Sequence, residues 1–100
     1  MRLPLESHIV DALMRDLVGH DRAPSAFLLY LWLWRHTRAR GRETHGASLQ
    51  EMATDTGLSK SSIQNALRRL KKRRLVSARR HAPTSACHYE VHEPWRRAGR

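Results

Sequence analysis

With 100 residues, the chain has the length of one domain that can build its own hydrophobic core. A lone cysteine, Cys87, excludes an intrachain disulfide and fits a reducing, cytoplasmic setting. The formal charge of +10 is one-sided: residues 1–55 hold seven bases and seven acids, whereas residues 56–100 hold twelve bases against only Glu90 and Glu93. Such a field is the footprint of a polyanion-binding face.

In chain order, Leu5, Ile9, Leu13 and Leu17 fall four apart, with Val10 and Met14 beside them and Asp11, Arg15 and Asp16 opposite. That spacing predicts an amphipathic α-helix from Leu5 to Val18. The run Gly19-His20-Asp21-Arg22 ends it. A second helix is expected from about Ala23, with Pro24 in its first turn, through AFLLYLWLW (Ala26–Trp34) to about Arg38.

The nine-residue apolar run is too short for a bilayer span, which needs about 20 apolar residues. No secretory signal precedes it, so no membrane association is expected. On a helical wheel Phe27, Tyr30, Leu31 and Trp34 share one side, and Leu29 and Leu33 another. Leu28 and Trp32 line up with Arg35 and Ala39, a stripe that ends in charge and is expected to face outward. They are the candidate contact of a homodimer, with burial under the N-terminal helix as the alternative. Arg40–Gly46 reads as a polar loop.

Ser48-Leu49-Gln50-Glu51 is a capping box opening a helix with Leu49, Met52 and Ala53 inward. Gly57 suits a left-handed C-cap, and Ser59 is placed to cap the next helix. There Ile63, Ala66, Leu67 and Leu70 form an i, i+3, i+4, i+7 stripe. The opposite face presents Lys60, Ser61, Gln64, Asn65 and Arg68, side chains whose chemistry suits base edges. Ser62 and Arg69 lie at the flanks. Beyond Arg74, Pro83, Thr84 and Ser85 carry turn chemistry, and Cys87, Tyr89 and Val91 alternate on one face of a strand. A two-stranded hairpin is expected.

Two short helices joined at Gly57 and followed by a hairpin resemble the winged helix-turn-helix family, over Ser48 to about Val91. Ala53, Gly57 and Ile63 carry the match. Thr56–Ile63 followed by Ala66-Leu67-x-x-Leu70 looks like the recognition helix of GntR- and MarR-type bacterial regulators, and of the N-terminal domains of some phage and plasmid replication proteins. Arg74 stands where those families often place Gly or Asn. The resemblance implies a mostly α (α+β) fold of three to four helices plus a two-stranded wing. It places the second helix of the motif in the major groove of duplex DNA, with Lys60, Ser61, Gln64, Asn65 and Arg68 reading bases. Ser59, Ser62, Arg69, Lys72, Arg79, Arg80 and His81 would then meet the sugar-phosphate backbone.

Metal and catalytic chemistry find little support. His81, Cys87, His88 and His92 are close in sequence, but there is no second cysteine and no C-x-x-C. No nucleophile elbow, phosphate-binding glycine loop or paired carboxylates in an apolar context occur. Neither a metal nor a cofactor is expected. The expectation is one domain over residues 1–93, with the helix-turn-helix at 48–73, the wing at 75–92 and a basic tail at 94–100. A small DNA-binding transcriptional regulator without an effector domain, cytoplasmic and nucleoid-associated, is the first reading. A plasmid or phage replication-initiation module and a protein-interaction winged helix are the alternatives.

Overall fold

A computed structural model describes residues 3–37, 44–80 and 87–95. Its first element differs from the expected α-helix. Ile9–Leu13 and Arg15–His20 form wide π-helical turns, closed by bonds such as Asp21 N–H to Asp16 C=O at 2.8 Å. Ile9, Leu13 and Leu17 are buried as their spacing requires, but Leu5 lies ahead of the coil and is exposed. A spacing of four keeps side chains on one side of either a 3.6-residue turn or a wider one, so periodicity alone could not tell them apart.

The apolar run forms α1 (Pro24–His36), which starts on its proline and stops two residues short of the expected end. Ala26, Phe27, Leu29, Tyr30, Leu33 and Trp34 are buried, making α1 the central wall of the core. The N-terminal coil packs on it, and it lies against α2 (Leu49–Thr56) and α3 (Lys60–Lys72). The Tyr30 hydroxyl donates to the His92 carbonyl at 2.9 Å, and Trp34 Nε1–H to the Pro4 carbonyl at 2.8 Å. These two bonds fix Pro4 and His92 to the same helix. Among the described residues, no helix is long and apolar enough to cross a membrane.

Strand β1 (Thr44–Ala47) replaces the end of the expected polar loop. It pairs antiparallel with β3 (Cys87–Val91), which also pairs with β2 (Val76–Arg79), so the hairpin is widened to three strands in the order β1-β3-β2. The register sets Ala47 opposite Cys87 and Val76 opposite Val91. Thr-His-Gly-Ala carries neither apolar alternation nor β-branched density, which is why the strand was not legible. Gly46 sits close under its cross-strand partner: a Cβ there would stand 3.0 Å from Cε1 of the His88 ring, which would have to give by a few tenths of an ångström. Tyr89 and Val91 point into the core as their alternation predicts.

Candidate nucleic-acid interface

Four local devices aim α3. Ser48 caps α2 by accepting from the Glu51 N–H at 3.0 Å. Gly57, at φ +80°, ends α2 with its N–H on the Ala53 carbonyl at 2.9 Å, a left-handed cap that suits glycine. Ser59 then caps α3, accepting from the Ser62 N–H at 3.1 Å. Ile63, Ala66, Leu67 and Leu70 bury the inner face of α3. The angle between the two helices is therefore set by caps and core together.

The exit from α3 is a Schellman motif. Leu75 N–H reaches the Leu70 carbonyl at 2.9 Å and Arg74 N–H reaches that of Lys71 at 3.0 Å, with both leucines buried beneath. Arg74 takes the left-handed position, φ +58°. The residue type departs from the pattern of the resembling families, yet the backbone conformation is the one that pattern serves.

With the inner face buried, Lys60, Ser61, Gln64, Asn65 and Arg68 are all exposed along α3, so the five sequence-derived base-reading candidates share one solvent face. Arg68 donates through its guanidinium to Asn65 Oδ1, which leaves the Asn65 amide hydrogens pointing away from that bond. Ser59 and Lys72 are exposed, and Ser62 and Arg69 are half-buried at the edge. Arg79 ends β2 and Arg80 follows it, both exposed. His81 lies outside the described residues.

Two basic residues of the run Lys71-Lys72-Arg73-Arg74 have different tasks, which its charge alone concealed. Arg73 Nε lies 3.1 Å from Asp21 Oδ2, and its terminal nitrogen 3.7 Å from Asp16, so it ties the helix exit to the N-terminal coil. Lys71 is exposed and extends the basic edge, although the motif did not single it out. The Leu28/Trp32 stripe divides as well. Leu28 is 48% exposed, whereas Trp32 is half-buried, packs on the core and donates Nε1–H to Asp55 at 3.1 Å.

The histidines of β3 and its end are engaged in the sheet: His92 Nε2 lies 2.9 Å from the Ser77 hydroxyl and 3.9 Å from Glu90. Among the described residues, no three His, Cys, Asp or Glu side chains come together as a metal site would require.

A helical core, a Gly-turned helix pair and a small antiparallel sheet define a winged helix-turn-helix, a fold that supports DNA binding. The chain belongs to a helix-turn-helix domain family, whose model matches residues 23–76. That span runs from α1 through β1, α2 and α3 to the first residue of β2. Comparisons with curated proteins and with solved structures gave no match.

Proposed function

We propose that the protein binds duplex DNA sequence-specifically, with α3 in the major groove, and acts as a small transcriptional regulator by occupying its operator. The observation that carries this reading is the exposed row Lys60, Ser61, Gln64, Asn65 and Arg68 on a helix capped and packed on its other side. Arg68 offers donors for guanine, and Gln64 and Asn65 match adenine. Exposure of Arg79 at the end of β2, of Arg80 just past it and of Lys72, with Arg69 half-buried at the edge of α3, supports backbone contact by these four. The charge excess in the same half of the sequence supplies sequence-independent attraction. The regulator works in the cytoplasm on the nucleoid.

Selection of bound duplexes from a fragmented genome, at about 150 mM salt where non-specific binding is weak, tests this reading. Enrichment of one short sequence supports it. Binding without enrichment that vanishes as salt rises would reduce the basic face to electrostatics alone.

A further inference from the structure

The N-terminal coil presents a second face that DNA binding does not use. Val10, Met14 and Val18 recur every four residues, and are 49%, 38% and 39% exposed. They form an apolar stripe beside the buried row Ile9, Leu13 and Leu17. Three such side chains in line on one element are a contact surface in the making.

We infer that this stripe is where a second copy of the chain docks, antiparallel, about a two-fold axis at Met14. The charges on the coil select that occupant. Glu6 accepts from Trp95 Nε1–H at 3.2 Å, while Asp16 and Asp21 face Arg73. Asp11 and Arg15 remain, both exposed, opposite in sign, one helical turn apart on the same flank of the stripe. In an antiparallel pair related by a two-fold axis, equal flanks of the two coils meet. Asp11 of one copy therefore comes within reach of Arg15 of the other, twice, while Val10 lies across from Val18. A parallel pair would set that charged flank against the flank already buried in the core. The face is self-complementary in one arrangement only.

Long-range electrostatics favour the same place. Two copies repel through halves that carry the entire +10, so association is least opposed through the N-terminal half, where bases and acids balance. The contact is small beside a standard interface of roughly 20–30 residues a side, which makes the dimer weak, with a Kd of about 10 μM to 1 mM.

Sedimentation equilibrium of the full chain, without DNA and up to about 1 mM, tests the inference independently of its DNA reading. The expected result is reversible dimerisation, weakened at least about tenfold by Met14→Glu. Asp11→Arg should weaken it too, and Asp11→Arg with Arg15→Asp should restore it. Thermal unfolding of each variant checks that the fold is kept; Asp11 and Arg15 are both exposed and give an answer even if Met14→Glu unfolds. A chain that stays monomeric throughout would overturn the inference. So would a dimer that survives Met14→Glu but is lost in Leu28→Glu, or one indifferent to the charge exchange.

Discussion

The guanidinium of Arg73 lies 3.1 Å from the carboxylate of Asp21, joining the C-cap of α3 to the end of the N-terminal coil. The Asp21 side chain is only 6% exposed, and its other oxygen lies 2.9 Å from His20 Nδ1. The hydrogen bond from His20, then the charge of Arg73, hold its carboxyl below the usual value of 3.8. A group whose folded pKa is depressed contributes stability that is present above the unfolded value and is lost as pH falls through the folded one. Asp21→Asn should therefore cost about 1 kcal/mol at neutral pH. In urea titrations at several pH values, the gap between wild type and variant should close progressively below the ordinary carboxylate value.

Arg74 holds a left-handed conformation, φ +58°, that costs a non-glycine residue about 1 kcal/mol. Arg74→Gly should raise stability by up to about 1 kcal/mol, less the entropy that glycine adds to the unfolded chain. Arg74→Val should lower it, because a β-branched side chain resists this region most. Denaturant midpoints of the three proteins give the order directly.

How much of this was legible in the sequence depends on how local the cause is. Ser48, Gly57 and Ser59 act within four residues of themselves, and each cap stands where the sequence places it. The inward stripe of α3 follows from spacing alone. Strand β1 is held by a partner forty or more residues away and has no pattern of its own. The width of the N-terminal coil was hidden for a different reason, since its four-residue spacing serves two kinds of turn. On α3, the exposure of the row from Lys60 to Arg68 was readable from the wheel, whereas the separate task of Arg73 depends on Asp21, fifty-two positions earlier. Trp32 is half-buried where the wheel set it outward, and its bond to Asp55, twenty-three positions on, has no local signal.

Ser59 accepts from the backbone of Ser62 at 3.1 Å, and its hydroxyl also bonds that of Ser62 at 3.0 Å. Ser59→Ala should cost about 1 kcal/mol of stability. The same change frees the first turn of α3, which carries Lys60 and Ser61. Affinity for a selected duplex should fall by more than the loss of one phosphate contact explains. Ser59→Asp keeps the cap and should restore stability while its negative charge still weakens DNA binding. Melting curves and binding isotherms on the same three proteins separate the two effects.

Arg68 and Arg79 are both exposed arginines, one on α3 and one at the end of β2, and the DNA reading gives them different tasks. Arg68→Ala should cost about 1–3 kcal/mol on the selected site and relax preference at a single base pair. Asn65→Ala, which removes the acceptor for the Arg68 guanidinium, should relax the same position more mildly. Arg79→Ala should weaken every sequence alike and reduce the salt slope by about one unit. Competition binding against a panel of single-base variants, repeated at three salt concentrations, distinguishes these effects. If Arg68→Ala weakened all duplexes equally, it would be a phosphate contact, and base reading would pass to Gln64 and the first turn of α3.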